Sequence, residues 1–172
     1  MADREENPPP VAEVADPARA LLRHTVAALA YRAAKALRDA PPNFGEFRAG
    51  PTSRTPAAIL AHMCDLMDWA LALAQGEHRW RDVAPRGWSA DCDRFFAALA
   101  ALGSYLASSA PVRWRIESLF QGPVADALTH TGQLTMLRRL AGAPVRGENY
   151  SKADISAGRV GAAQAPARVE FD

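Results

Sequence analysis

The chain has 172 residues, 49% of them hydrophobic, a length and composition that suit one domain with a sizeable core. Twenty basic and nineteen acidic residues leave a formal net charge of +1, so net charge gives no reason to expect binding to nucleic acid or to an anionic membrane. Many of the hydrophobic residues are alanine, which favours closely packed helices over a sheet.

Targeting signals and cysteine motifs are missing from the sequence. No apolar run approaches the roughly 20 residues that span a bilayer. The N-terminal stretch "MADREENPPP" lacks the apolar segment of a signal peptide. Cys64 and Cys92 are far apart and form no CxxC motif, so neither a disulfide framework nor a thiolate zinc site is expected. These features predict a soluble cytoplasmic protein.

The first two predicted helices both begin with a capping residue followed by proline. Asp16 is the expected N-cap of helix one, with Pro17 in its first position, and Thr55 and Pro56 start helix two in the same way. Apolar residues then recur at helical spacing. They are Ala18, Leu22, Val26, Leu29, Ala33 and Leu37 in helix one, and Ile59, Met63, Leu66, Ala70 and Leu73 in helix two.

Helices three and four follow a loop that carries two tryptophans. Ser89 is the predicted N-cap of helix three, and Gly142 is a typical stop residue for helix four. The start of helix four has two interpretations: Pro123 begins it, or Pro123 kinks a helix that begins near Glu117. The apolar residues of helix three are Cys92, Phe95, Phe96, Leu99, Leu102 and Leu106.

Four amphipathic helices of this length predict an all-α protein, a four-helix bundle over residues 17–142. Residues 1–16 are predicted to be a flexible leader, and residues 143–172 an irregular C-terminal extension that ends in a loose tail. No segment has the two-residue period of a strand. The connection between helices two and three could span roughly 40 Å, so these helices could run parallel.

Three polar side chains are expected to face the interior from helices two and four. His62 lies within the apolar stripe of helix two, and His130 lies within that of helix four. Asp126 precedes His130 by one helical turn, at the edge of the same stripe. Burying the carboxylate without a partner would cost several kcal/mol. One divalent cation would satisfy all three groups, and three protein ligands with an open fourth position also describe a catalytic zinc site.

Simpler interpretations stand beside this metal site. An interior histidine is more often hydrogen-bonded than metal-bound. Asp126 could serve only as a favourable charge near a helix start at Pro123, or could pair with a charged histidine in a purely structural bundle. Asp65, three residues after His62, is either a rival ligand or a plain surface acid. Gln133 is placed to orient a ligand carboxylate, or is simply exposed.

Several other residues have a structural interpretation beside a functional one. Cys64 is expected to be a small buried hydrophobe, although it could be a redox thiol. Arg138 complements the dipole of helix four and needs no substrate anion. The four tryptophans could wall a pocket, but core or interface packing is the simpler use of most of them. They are Trp69, Trp80, Trp88 and Trp114.

Two segments carry the motifs of a known family: "RTPAAILAHMCDLMDWAL" in helix two and "ADALTHTGQLTMLRRLAG" in helix four. On these motifs, residues 17–142 resemble the DinB/YfiT-like superfamily of four-helix-bundle metalloenzymes. Members place one histidine in helix two, matched here by His62, and an H-x-x-x-H pair in helix four. The stretch "HTGQL" matches the second half of that pair and assigns His130. Asp126 stands where the first histidine usually lies, and the related mycothiol-dependent maleylpyruvate isomerases are similar in using a carboxylate there.

The resemblance implies an up-down-down-up bundle, an open metal-bound water and frequently a homodimer. Two histidines and a carboxylate suit zinc, but also iron(II), nickel or manganese. The implied activity is either transfer or isomerisation that depends on a low-molecular-weight thiol, or hydrolysis by metal-bound water. The partner is then a small-molecule substrate or thiol. The alternative is a metal- or ligand-binding stress protein without turnover.

Overall fold

The computed structural model describes residues 16–171, so nearly all of the predicted leader lies outside the described residues. The described part is mostly helical, which confirms the all-α prediction. Its helices are α1 (Pro17–Leu37), α2 (Pro56–Ala74), α3 (Trp88–Ala107), α4 (Ile116–Leu119) and α5 (Ala125–Leu140), with a π-helical turn at Phe120–Val124 joining the last two. Two short strands, β1 (Gly147–Glu148) and β2 (Glu170–Phe171), and two 3-10 turns, Phe44–Glu46 and Tyr150–Lys152, complete the described elements.

The N-terminal caps of α1 and α2 are confirmed. The Asp16 side chain accepts hydrogen bonds from the backbone N–H groups of Ala18 and Arg19, at 3.0 and 3.3 Å. The Thr55 hydroxyl accepts one from the N–H of Ala58 at 3.2 Å. Each cap satisfies backbone donors that have no partner within the helix, and each therefore fixes where its helix begins.

The predicted cap of α3 is wrong. The helix begins at Trp88, before Ser89, and its N-cap is Gly87, which has a φ of 111° and no capping side chain. A side chain from inside the helix stabilises this end instead, because the Asp91 carboxylate accepts from the N–H of Arg86 at 2.9 Å. The glycine is required because its positive φ turns the loop sharply into the helix.

Of the two interpretations of the last helix, the structure supports the one in which the helix begins before Pro123. Helical structure begins at Ile116, and Pro123 lies inside a π-helical turn rather than at a helix start. A proline has no N–H to donate, and a wider turn accommodates its ring. At the other end Gly142 has a φ of 77°, and its N–H donates to the carbonyl of Arg139 at 3.1 Å, which confirms the predicted stop.

The predicted stripes form the core, with α2 at its centre. All five stripe residues of α2 are buried, and in α1 only Ala18 is exposed instead of buried. By length and composition α2 could cross a membrane, although 67% of its apolar window is buried inside the protein. The expectation that no apolar run approaches a membrane span is therefore corrected for α2. Its hydrophobicity is accounted for by its core position, because α2 packs against both α3 and α5.

Arginines join the ends of several helices. Arg19 at the start of α1 donates to the carbonyls of Tyr105 and Leu106 at the end of α3, both at 2.9 Å. Arg138 at the end of α5 is buried and donates to the carbonyl of Ala36 in α1 at 3.1 Å and to that of Arg38 at 2.8 Å. Arg138 thus caps a second helix as well as complementing its own, and burial lowers its pKa.

The C-terminal extension is irregular, as predicted, but it is tied to the bundle. Strands β1 and β2, each too short to show a two-residue period, pair antiparallel, so the end of the chain is not a loose tail. The buried carboxylate of Glu148 accepts from the Tyr31 hydroxyl at 2.6 Å and from the Lys35 ammonium at 3.0 Å. Lys35 also pairs with Glu170 at 2.6 Å. These contacts hold both strands against α1.

Candidate metal centre

The three residues predicted to share a metal lie together between α2 and α5. The Nε2 atom of His62 is 3.3 Å from Oδ2 of Asp126, and Nε2 of His130 is 3.5 Å from Oδ1 of the same carboxylate. One donor atom from each residue lies within 4.8 Å of the other two, a grouping that could hold a metal ion. The predicted convergence from two helices is therefore confirmed.

The local structure of both helices explains this convergence. Asp126 and His130 are four residues apart in α5, so their side chains leave the same face one turn apart. The π-helical turn Phe120–Val124 ends two residues before Asp126. Such turns add a residue to a helical turn and are frequent at functional sites, because they change which side chains face inward. His62 completes the cluster from the interior face of α2.

The separations match those between two ligands of one metal ion. Zinc bonds to imidazole nitrogen and carboxylate oxygen are about 2.0–2.2 Å long, so neighbouring ligand atoms in a tetrahedral site lie about 3.3–3.5 Å apart. The two nitrogen–oxygen distances here, 3.3 and 3.5 Å, fall in that range. A charge-assisted hydrogen bond is shorter, at about 2.7–2.9 Å. The two contacts run to different oxygens of Asp126, and the contact with His62 is also a hydrogen-bond contact, so the spacing is compatible with shared coordination and with ion pairing alike.

Solvent reaches the site from one side. The side chain of His130 is 10% exposed, that of His62 is 23% exposed, and that of Asp126 is 45% exposed. His130 is thus the buried member of the cluster, His62 is partly exposed, and the carboxylate is the most exposed of the three. A cation held here would keep at least one coordination position accessible to a small molecule, as catalytic metal sites require.

Gln133 orients a histidine rather than the carboxylate considered in the sequence. Its side-chain Oε1 lies 2.8 Å from Nδ1 of His130. With the amide oxygen as acceptor, Nδ1 carries the proton and Nε2 presents its lone pair to the cluster. Hydrogen bonds of this kind fix the ring orientation and raise the basicity of a metal-ligating histidine. Gln133 is exposed, as the alternative interpretation expected, yet it supports the site.

Asp65 is neither a rival ligand nor a surface acid. It is buried, forms an ion pair with Arg94, and accepts from the N–H of Val83 at 3.0 Å. Arg94 also pairs with Asp68 at 3.0 Å. Burial alone would lower the pKa of Arg94, but its hydrogen bonds to Asp65 and Asp68 raise that pKa above its usual value. Asp65 is therefore fully engaged away from the cluster.

Neither cysteine has the environment of a nucleophile. Cys64 is buried, and burial raises the pKa of its thiol to about 12. Cys92 is half-buried, and burial raises its pKa to about 11. Both residues are therefore protonated near neutral pH, and a thiol is a far weaker nucleophile than a thiolate. This confirms the structural interpretation of Cys64.

Aromatic side chains extend from the cluster towards the end of α2. The ring of Trp80 lies 5.7 Å from that of His62, and Trp69 lies 5.6 Å from Trp80, both edge-on. Trp88 packs instead against Phe44, at 5.1 Å. The sequence could not place Trp80 beside His62, because Trp80 lies in a loop where no helical periodicity applies. Trp80 and Trp69 thus lie on one side of the candidate metal centre.

The other histidines stay outside the donor group. The ring of His78 lies 5.9 Å from Trp69 and 6.1 Å from Trp114, and His24 is exposed on α1. Neither residue belongs to the donor group of His62, Asp126 and His130.

Comparison with known proteins gives no match: no family model, no curated protein and no solved structure matches the chain.

Proposed function

We propose that the protein binds one divalent metal ion, zinc in the first instance, through His62, Asp126 and His130. The observation that carries this proposal is the approach of two imidazole nitrogens to the two oxygens of one carboxylate, at 3.3 and 3.5 Å. A neutral pair of histidines supplies lone pairs, and the carboxylate supplies the negative charge that offsets the cation. Nickel, iron(II) and manganese accept the same donor set.

We further propose that the chain is a DinB/YfiT-like protein with an up-down-down-up arrangement of its four long helices. Contacts between helix ends support this order. The start of α1 meets the end of α3 through Arg19, and the ends of α1 and α5 meet through Arg138. The Cys64 thiol, midway along α2, approaches the Asp91 carbonyl near the start of α3, and the Tyr105 hydroxyl near the end of α3 approaches the Ala74 carbonyl at the end of α2.

The proposed activity is that of a metal-dependent enzyme, either a thiol-dependent transferase or isomerase, or a hydrolase. A bound divalent ion supplies Lewis acidity and lowers the pKa of a water or thiol at its open position. The protein contributes positioning: Gln133 fixes the tautomer of His130, and Asp126 presents its carboxylate at the exposed side. The raised pKa values of both cysteines favour an external nucleophile over a thiolate of the chain.

The metal proposal is tested by titrating the metal-free full-length protein with zinc in a calorimeter. We expect one zinc ion per chain. Asp126→Ala should weaken binding about a hundredfold or more, because it removes both a ligand and the compensating charge. Matched controls are Asp93→Ala and His24→Ala, which remove the same residue types from exposed positions on α3 and α1.

Each result of this titration decides between the candidate roles. Equal zinc binding by the wild type and Asp126→Ala would contradict the ligand assignment. Failure of the folded wild type to bind zinc, nickel, iron(II) or manganese would leave a structural bundle in which Asp126 pairs with histidine. If metal binds but the loaded protein turns over neither thiol-plus-electrophile mixtures nor esters and amides, the non-catalytic binding role replaces the enzyme proposal.

We also propose that the protein is a cytoplasmic homodimer. Large apolar side chains on α1 and α5, among them Leu21, Met136 and Leu140, are exposed in the described chain. Apolar surface of this kind is typical of interfaces between subunits. A light-scattering mass of two chains at micromolar concentration would support the dimer, and a mass of one chain would contradict it.

A further inference from the structure

The candidate metal centre adjoins a groove that its ligands do not fill. This Trp69 groove has a volume of about 390 Å³ and lies between α2, the π-helical turn and α5. Cavities of roughly 300–1,000 Å³ are typical of small-molecule sites. Asp126 belongs to the groove and to the metal centre alike, so a molecule in the groove lies beside the proposed metal. Its lining residues are Leu66, Trp69, Gln121, Gly122, Ala125, Asp126 and Thr129.

One wall of the groove is aromatic. The indole of Trp69 lines the groove and packs edge-on against Trp80, which in turn packs against His62. The indole Nε1–H of Trp69 is buried and has no hydrogen-bond partner among the described residues. Because this atom has almost no accessible surface, a molecule in the groove would meet the ring of Trp69 rather than its donor.

The opposite side of the groove is open space above the π-helical turn. A Cβ atom placed on Gly122 would meet no neighbouring atom within 4 Å. Gly122 is followed by Pro123, so this turn presents neither a side chain at one position nor an N–H at the next. Gly122 therefore lines the groove without a side chain of its own.

We propose that the Trp69 groove binds the flat, apolar body of a small-molecule substrate, an aryl group in the simplest case, whose polar head reaches the open position on the metal. This inference rests on the proposed metal function. Its chemical class follows from the lining: Leu66, Ala125 and the Trp69 ring are apolar, Gln121 and Thr129 are polar, and Asp126 is the sole charged side chain among the lining residues. A flat apolar body matches the ring of Trp69.

The test uses two probes with the same metal-binding head. Acetohydroxamate carries a methyl group and benzohydroxamate carries a phenyl group on an identical chelating head. Calorimetry on the zinc-loaded full-length protein gives both dissociation constants, and elemental analysis after each titration verifies that zinc stays bound. We expect benzohydroxamate to bind about tenfold more tightly, because its ring removes apolar surface from water in the groove.

Two glycine variants test whether the phenyl ring of benzohydroxamate binds in the Trp69 groove. Gly122→Leu fills the groove, and we expect it to reduce the tenfold preference to about equal affinity while zinc stoichiometry stays the same. Gly132→Leu is the matched control: Gly132 also lies within a helix, and a Cβ there also meets nothing within 4 Å, but it lines a different surface groove. The control should keep the full preference for benzohydroxamate.

The outcomes separate the two proposals. Zinc binding with equal affinity for both probes in the wild type would overturn the groove proposal and leave the metal function intact. A preference that persists in Gly122→Leu would also overturn the groove proposal, because the ring would then bind elsewhere. Absence of zinc binding by the folded wild type would overturn the metal function, and the groove proposal with it.

Discussion

Asp126 and Asp65 are both carboxylates close to His62, but their surroundings differ in every respect. Asp65 is buried, with its side chain 1% exposed, and its two oxygens accept from Arg94 and from the N–H of Val83. Asp126 is 45% exposed, and its oxygens face two imidazole nitrogens. A carboxylate whose acceptors are used by cationic and amide donors supports the fold, whereas one that faces two imidazole nitrogens could hold a cation together with them.

The largest effect on stability is expected from breaking the buried ion pair of Asp65 and Arg94. Asp65→Ala leaves Arg94 buried without its main partner, and removal of one member of a buried ion pair costs about 3 kcal/mol. Asp126→Ala, in the metal-free protein, should cost less than about 1 kcal/mol because that carboxylate is partly exposed. Urea unfolding of both variants measures the free energies. Loss of zinc binding by folded Asp65→Ala, with retention in Asp126→Ala, would reverse the two roles.

A smaller effect, on zinc affinity, is expected when the hydrogen bond between Gln133 and His130 is removed. Gln133→Ala leaves all three ligands in place but frees the ring of His130 to turn, so we expect about tenfold weaker zinc affinity. Competition with a chelator of known affinity measures this change. Gln75→Ala, at an exposed position after α2, is the matched control. An unchanged affinity in Gln133→Ala would show that the hydrogen bond to His130 does not support the metal.

The smallest effect, on the free energy of unfolding, concerns a second buried carboxylate, that of Glu148. Burial, followed by the hydrogen bond to Glu148, raises the pKa of Tyr31 from 10 to about 12. A folded-state pKa above the unfolded value gives a stabilisation that is complete below pH 10 and is lost as the pH rises towards 12. Tyr31→Phe should cost about 1 kcal/mol at neutral pH and remove that alkaline loss. Unfolding at several pH values, with tyrosinate absorbance, tests both statements; an identical alkaline decline in the variant would contradict them.

Helical periodicity was sufficient to predict that His62, Asp126 and His130 lie together. Asp126 and His62 are 64 residues apart, yet His62 lies in the apolar stripe of its helix and Asp126 at the edge of another, and such stripes meet in a packed bundle. The caps at Asp16 and Thr55 could also be predicted, since they depend only on the next three residues. Features that arise from local spacing and from a shared interior are within the reach of a single sequence.

The features that could not be predicted depend on partners outside the local pattern. Asp65 is sealed by Arg94, a residue of another helix, and by Val83 from a loop. Glu148 is tied to the bundle by Tyr31, which is 117 residues away in the sequence. Gln133 could be placed near the site but not assigned to His130, since its rotamer depends on packing. Periodicity places a side chain on a face but does not identify its partner on the neighbouring element.

The most direct test of the central claim is a crystal of the zinc-loaded protein examined by anomalous scattering at the zinc absorption edge. The proposed metal centre predicts one strong peak per chain between α2 and α5, about 2.0–2.2 Å from Nε2 of His62, Nε2 of His130 and a carboxylate oxygen of Asp126. A peak at any other donor set, or none in protein shown to contain one zinc per chain, would contradict it.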